Sequence, residues 1–501
     1  MTPTEWASAA RPGDPDGVVD QNTRKAIVAF RKADNLGMGG DAPSQSVRCD
    51  STRNGFDPIK IAGLQIAGRI PRFTLPVMLM AVLSCSVVEP KKEFALLSVT
   101  VSEDNSFNQL FKRCGPGWTG GDSTYSTALS PTQVMWLFSD TFIGPVSRSG
   151  KRNPDGELFV QGNTLVLQDK TSGTLTTYFR QSVGEEEEIL GLPTFARSPY
   201  DASHCPGENF VERHNARAMF QPPHCPSGQH CYYWGGALVA DNGQLTAFLQ
   251  LMEQTGAGIF DFAWRGSAIA TIPLKEIATA EPTYINAPNN GVSYGGAIIS
   301  AQDNYTYIYG MREEPADNAI CAGHCIHIAR APSNKLAQPQ EWRYWGEKPD
   351  SAGHFDWIET AEESMPMAGN TGPAAAPQTQ DQLGAGKVAH CGALPECYVI
   401  IAHQYTGGTS ENILAWYAAQ PQGPWAGPVF VYQTPESRQP GNLFTYNAKI
   451  HPEFTTEDGL LVSYDVNSLA PATDPLSPLT TADSYRPRFI RVKLHWLAVG
   501  R

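Results

Sequence analysis

Two aspartates, Asp122 and Asp140, flank a run that reads as a β-hairpin: Gly121-Asp-Ser-Thr-Tyr-Ser-Thr-Ala-Leu, then Val134-Met-Trp-Leu-Phe-Ser-Asp-Thr-Phe-Ile. Asp122 begins the first strand and Asp140 ends the returning one. If the loop is the three residues Ser130-Pro131-Thr132, Asp122 lies directly opposite Asp140, with Cβ atoms about 5 Å apart. Two carboxyls that close repel, and one keeps its proton towards neutral pH. An acid and a base in one place can hydrolyse a glycosidic bond. With a loop of two or four residues the register slips by one, and the side chains point to opposite sheet faces. The alternative use is local: Asp122 caps a turn and Asp140 orders a loop through its neighbours' amides.

A second set lies near the C-terminus. Tyr446, Asn447 and His451 precede the last hairpin, and Tyr464, Asp465 and Asn467 close it. The run Tyr485-Arg-Pro-Arg-Phe adds Arg486 and Arg488, and Tyr125 and Asn163 complete the candidate set from the first hairpin and beyond it. Polar and aromatic groups at strand ends suit sugars, whose faces stack and whose edges hydrogen-bond. A lone histidine such as His451 is more often structural. Glu185–Glu188 reads as a solvated loop, and the single sequon Asn304-Tyr-Thr306 decides nothing.

These residues must be positioned by strands. Five passages carry a Gly-, Tyr- and Trp-rich stretch into a hairpin: the one above, Cys231-Tyr-Tyr-Trp-Gly-Gly with Gln244-Leu-Thr-Ala-Phe, Tyr294-Gly-Gly-Ala-Ile-Ile with Tyr305-Thr-Tyr-Ile-Tyr, Cys397-Tyr-Val-Ile-Ile with Ile413-Leu-Ala-Trp-Tyr, and Tyr446-Asn-Ala-Lys-Ile-His-Pro with Gly459-Leu-Leu-Val-Ser-Tyr. Alternation such as Tyr305-Thr-Tyr-Ile-Tyr is half-buried strand behaviour. Each interval holds a four-stranded sheet, and Gly-Gly before a strand suits backbones crowded at an axis. The expected fold is all-β, a five-bladed β-propeller over residues 95–498; a two-sheet sandwich is the competitor.

Composition agrees. Hydrophobic residues make up 41% of the 501-residue chain, enough for a large core, and 46 Gly with 39 Pro suit many turns. A formal charge of −13 without a basic stripe argues against nucleic acid and gives no attraction to anionic membranes. Three tight cysteine pairs, Cys225/Cys231, Cys321/Cys325 and Cys391/Cys397, each bracket a turn, which leaves Cys114 and Cys205 for one long bridge. Such pairing points to an oxidising compartment. His324 and His327 beside Cys321/Cys325 raise a zinc alternative, but no second Cys/His pair stands at a recognisable spacing. No metal or cofactor is expected.

Before the strands, residues 13–36 resemble the second half of a peptidoglycan-binding repeat, with Asp16-Gly, then Thr23-Arg-Lys-Ala-Ile and Phe30. Residues 1–40 read as a truncated fragment of that kind, partly helical or disordered, and 41–69 as a linker. Residues 70–88 are markedly apolar, interrupted by Pro76 and too short to span a bilayer comfortably. They read as a signal-peptide core, and Val82-Leu-Ser-Cys85 resembles a lipobox, which implies a lipid on Cys85. A signal so far inside the chain suggests a mis-assigned start or a fused fragment.

Gly121-Asp122-Ser-Thr-Tyr-Ser126, Trp136-Leu-Phe-Ser-Asp-Thr-Phe-Ile-Gly144 and Asn163-Thr-Leu-Val-Leu-Gln-Asp169 resemble the opening blade of a propeller family long labelled as of unknown function. Part of that group is classed as glycoside hydrolase family 183, endo-D-arabinanases of five-bladed fold. The resemblance continues at Gly423-Pro-Trp425, Tyr446–Pro452, Ser463–Asn467 and Tyr485–Phe489, and so covers about 100–495. Ser123 and Ser139 stand where the family has Gly, and Asp465 where Asn is commoner. These departures bear on substrate more than on fold. The resemblance implies a furanosidase-like site with Asp122 and Asp140 as leading catalytic candidates and Asp465 as the third acid. The whole reading is an exported, monomeric glycoside hydrolase acting on an arabinan-like wall polysaccharide; the rivals are a non-catalytic glycan-binding propeller and a structural surface domain.

Overall fold

The computed structural model describes residues 95–152, 158–183, 186–196, 215–225, 230–258, 260–349, 351, 353–406, 409–439 and 443–497. The peptidoglycan-binding-like fragment, the linker, the apolar segment with Cys85, and Cys205 lie outside the described residues. Among the described residues the chain is all-β: the single α-helix is Asn105–Leu110, and no helix is long and apolar enough to cross a membrane.

Five antiparallel sheets of four or more strands follow one another along the chain. Their leading strands are Tyr125–Ser130, Cys231–Asp241, Ala297–Ser300, Leu383–Cys391 and Leu443–Thr456. Each leading strand neighbours the next, and the last neighbours the first. The sheets pack face to face through separate cores. Tyr125, Leu137 and Leu249 fill the first, Phe248, Ile308 and Trp342 the second, and Tyr309, Ile400 and Trp416 the third. Ile401, Val462 and Val492 fill the fourth, and Trp136, Leu461 and Phe489 the fifth. A fully buried large side chain such as Trp136 contributes roughly 1.5–3 kcal/mol over exposure. Trp136 also needs a partner for its indole N–H, and Gln168 accepts it at 2.9 Å.

Crowding of the leading strands is explicit at Gly384, where a Cβ would sit 2.4 Å from the backbone N of Ile450 on the neighbouring leading strand. The fourth sheet departs from the expected hairpin. The strand containing Cys397 is its second, and Leu383–Cys391 leads it. That strand, Leu-Gly-Ala-Gly-Lys-Val-Ala-His-Cys, hides behind its small residues, which make a weak strand pattern. Glu186–Glu188 also departs from expectation, since it starts a strand paired with Gln181–Val183 rather than a loop.

Cys225–Cys231, Cys321–Cys325 and Cys391–Cys397 are disulfides, with Cα atoms 5.4, 6.0 and 6.0 Å apart. Cys114 is disulfide-bonded as well. Cys321 and Cys325 therefore present no thiolates to a metal. The imidazole of His327 is buried between Ser364 Oγ and Glu314 Oε1, each at 3.0 Å.

Candidate functional site around Asp122 and Asp140

The first hairpin resolves the register question in an unexpected way. Its tip has two residues, Pro131 and Thr132, with Ser130 opposite Gln133. A bulge between Ala128 and Ser130 then shifts the pairing by one, so Tyr125 faces Leu137 and Ser126 faces Trp136. Beyond the site, Gly121 faces Thr141 in the same register. Ser123 and Ser139 meet between these ladders, hydroxyl to hydroxyl at 2.8 Å. The registers on the two sides of the gap agree with the one a three-residue loop would give, but no ladder pairing crosses the gap that holds Asp122 and Asp140.

Both stand in a gap where regular pairing stops, with the amide of Ser139 bonded to the carbonyl of Asp122. Asp122 Oδ2 accepts from the Tyr446 hydroxyl at 2.8 Å, while its Oδ1 is buried with no hydrogen-bond partner among the described residues. Burial pushes the Asp122 carboxyl up to about 6, opposed by the Tyr446 and Tyr485 hydroxyls and by Lys449. Asp140 Oδ1 accepts from the Gly162 amide at 2.8 Å and the Trp234 indole at 3.2 Å. Burial, and after it the charge of Asp122, push Asp140 up to about 7. Two carboxyls raised by burial, one of them further by the other, share protons near neutrality, which is what acid/base hydrolysis requires.

Asp465 comes to the same place from the last sheet, but with both oxygens engaged. Oδ2 accepts from the Ser123 amide and Oδ1 from the Thr124 hydroxyl, each at 2.7 Å. Ser123 and Thr124 have φ of 67° and 36°, a left-handed conformation unfavourable for a β-branched residue. Asp465 therefore clamps the strained turn that carries Asp122. Its carboxyl is raised to about 8, first by burial and then by the charge of Asp122, against those two donors.

The remaining candidates divide. Tyr446 reaches Asp122, and Asn467 Nδ2 lies 3.5 Å from the Tyr446 hydroxyl. Tyr125 is buried at the neighbouring position, its ring under the Lys449 ammonium at 4.6 Å. Asn447, at φ 57°, donates its backbone N–H to Asp381 Oδ2 at 2.8 Å. The others are engaged elsewhere. The Asn163 amide bonds the backbone of Phe220 and Tyr233 at 2.8–2.9 Å. His451 sits between Ser126 and Ser463 hydroxyls, against Trp136 and Phe489. Burial pushes its imidazole down to about 3. Tyr464 points to the opposite sheet face from Asp465, as alternation demands, and its hydroxyl meets Glu436 at 3.0 Å. Glu436 also pairs with Arg488 at 3.3 Å. Arg486 pairs with Asp483 at 2.8 Å.

Four contributors lay outside the expected set: Tyr485, Trp234, Asp381 and Lys449. Trp234 bonds Asp140, and the Tyr485 hydroxyl lowers the Asp122 carboxyl. Lys449 was the most legible, a lysine inside the inward-facing strand Tyr446-Asn-Ala-Lys-Ile-His. Two small cavities, of about 50 and 40 Å³, lie along the leading strands and share Tyr125, Gly296 and Leu383 in their lining; Lys449 lines the larger. Neither is lined by Asp122 or Asp140.

Several solved structures are similar to this chain. A structure from Bacteroides ovatus ATCC 8483, described as a "putative hydrolase", is 21% identical with a TM-score of 0.52, over 79% of this chain and 90% of that one. An α-L-arabinofuranosidase from Podospora anserina, solved with cellotriose, is 11% identical with a TM-score of 0.35, over 76% and 92%. An endo-arabinase from Bacteroides thetaiotaomicron VPI-5482 is 12% identical with a TM-score of 0.31, over 68% and 95%. No curated protein matches the chain significantly. A family profile, in contrast, spans nearly all of the sheets: residues 104–496 match the family described as Domain of unknown function (DUF5005), and the chain belongs to that family.

Proposed function

We propose that this protein is a glycoside hydrolase of five-bladed β-propeller architecture, cleaving a furanose-containing, arabinan-like cell-wall polysaccharide. One observation carries the reading: Asp122 and Asp140 stand at the same break in the ladder, both raised towards neutrality, Asp140 partly by the charge of Asp122. One carboxyl protonates the leaving oxygen while the other, ionised, assists attack at the anomeric carbon. Asp465 is the third acid, assigned to positioning because both its oxygens hold the turn of Asp122. Tyr125, Tyr446, Asn467 and Tyr485 are assigned to the sugar-facing surroundings.

The cyclic order of five leading strands and five intervening cores supports the blade count. The resemblance of the motifs to those of the family 183 endo-D-arabinanases supports the arabinan-like substrate, and the disulfides support an extracytoplasmic location. Export through the apolar segment, a lipid anchor on Cys85, a peptidoglycan-binding origin for residues 1–40 and a monomeric state complete the proposal.

The test is release of reducing ends from D-arabinan, L-arabinan and xylan by the purified protein and by D122N and D140N. Hydrolysis of an arabinan by the wild type and its loss by at least about 100-fold in each variant are expected. Wild-type turnover by both variants overturns the pair. A second reading, glycan binding without cleavage, is favoured by the absence of both aspartates from the two cavities. It predicts retention of arabinan on an affinity gel with no turnover.

A further inference from the structure

Asp140 takes both of its donors on one oxygen: Oδ1 accepts from the Gly162 amide at 2.8 Å and from the Trp234 indole at 3.2 Å. Both donors are N–H groups, which give a hydrogen bond and cannot accept one. A proton on the Asp140 carboxyl therefore sits on Oδ2. Asp122 is built differently. Its Oδ2 faces the Tyr446 hydroxyl, which can turn to accept as well as donate, and its Oδ1 is buried. Asp140 is thus the member of the pair whose proton has a defined place. It is also the member raised further, so a single shared proton rests on it.

Trp234 brings aromatic rings to the same place. It lies in the leading strand Cys231–Asp241, and its indole meets the Phe262 ring edge to face, with centroids 4.7 Å apart. Phe262 opens Phe262–Pro273, the third strand of that sheet. Tyr232 is buried beside Trp234 at 6.0 Å and backs it. Trp234 and Phe262 are themselves only half-buried, and Phe260, two residues before Phe262, is 52% exposed. Rings needed for core packing alone would be covered. Half-open rings that end at a carboxyl suit a sugar, whose C–H face stacks on them while the carboxyl reaches its oxygen.

We propose that Trp234 is a positioning residue for Asp140, holding its proton on Oδ2, and that Trp234 and Phe262 form the platform for the furanose on the leaving side of the scissile bond. The proposal rests on the hydrolase reading and assigns the acid within it. Asp140 Oδ2 gives its proton to the glycosidic oxygen as the bond from that oxygen to the anomeric carbon breaks, and the electron pair of the bond stays on the oxygen. Water adds at the anomeric carbon and returns one proton to the aspartate pair, so the proton count of the pair is unchanged. The sugar that departs is the one whose oxygen Asp140 reaches, and the rings at Asp140 are those of Trp234 and its neighbour Phe262.

The test compares arabinan with a 2,4-dinitrophenyl glycoside of an arabino-oligosaccharide, whose leaving group needs no protonation. D140N is expected to lose at least about 100-fold on arabinan but less than about 10-fold on the dinitrophenyl glycoside, and D122N at least about 100-fold on both. Equal or opposite losses overturn the proton assignment and leave the hydrolase reading intact. A wild type inactive on both substrates ends that reading and the proposal with it. W234F keeps a ring and removes the N–H that lowers the Asp140 carboxyl. The alkaline limb of its pH–rate profile on arabinan is expected to move up by about half a unit, and an unmoved limb overturns the positioning role. F262A is expected to raise the KM for arabinan about threefold or more with both limbs in place, and an unchanged KM overturns the platform.

Discussion

Burial sets the chemistry of Asp122 and Asp140 before any partner does, because it is the largest influence on each carboxyl. Between about pH 6 and pH 7 the pair holds roughly one proton, so the arabinan-cleavage rate is expected to be bell-shaped across that interval. It falls on the acid side as the base is protonated and on the alkaline side as the acid loses its proton. Stability follows a different sign. A carboxyl raised above its unfolded value of 3.8 stabilises the fold fully below that value, and this contribution is lost as pH rises through about 6 for Asp122 and about 7 for Asp140. D140N leaves no charge to desolvate, and its amide oxygen still accepts from Gly162 and Trp234. It is expected to exceed the wild type at pH 8 by on the order of 1–3 kcal/mol in urea unfolding, with the gap closing at pH 4. An equal gap at both values would mean that the charge on Asp140 is not what burial penalises. At this scale the sequence was partly legible. The aspartates could be paired because opposite positions follow from hairpin counting, whereas the bulge that chose between the two registers has no marker in Leu129 or Ser130. The misplaced candidates, Tyr464, Arg488 and His451, share one cause: strand alternation and core packing direct them to Glu436 or to aromatic neighbours, and nearness in sequence to Asp465 does not override that.

Leading strands translate close approach into a sequence requirement. Alanine at Gly384 would meet backbone, the Ile450 N at 2.4 Å, whereas alanine at Gly386 would meet the Ile450 Cγ2 methyl at 2.9 Å, the end of a side chain that can turn aside. G384A is therefore expected to be the more destabilising, by roughly 1–3 kcal/mol relative to the wild type, with G386A retaining most of the stability. Thermal unfolding of the two variants side by side decides it, and equal melting temperatures would show that the leading strands can part at no cost. The same crowding explains what was legible among the elements. The Gly-Gly pairs, inside the second leading strand and just before the third, gave those sheets away, since apolar runs follow them. Leu383–Cys391 carries the same close approach through Gly384 and Gly386, but small residues dilute its apolar alternation, so it went unread until its neighbours were in place.

Across the whole molecule, the two ends of the described chain meet in one sheet. Leu96–Glu103 pairs with Pro487–Trp496, Val99 opposite Leu494 and Val101 opposite Val492, and both valines pack on the core that Ile401, Val462 and Ile490 fill. This strand covers the edge of Pro487–Trp496, which would otherwise present unpaired amides and carbonyls as a template for another chain. On the other side of Pro487–Trp496 lies Gly459–Ser468, which carries Asp465, the residue that holds the turn of Asp122. An edge strand at the periphery is thereby linked, across one sheet, to the aspartate pair. S102P removes an amide donor from the ladder, opposite Arg491, and is expected to cost on the order of 2 kcal/mol. Two readouts separate the consequences. Urea unfolding reports the lost pairing, and size-exclusion chromatography reports the exposed edge as new self-association. If S102P stays monodisperse and as stable as the wild type, the N-terminal strand is an ornament on a sheet complete without it. If it loosens the sheet as expected, the Asp122 carboxyl titration shifts with it, since the clamp from Asp465 rests on the strand two positions inward from the edge.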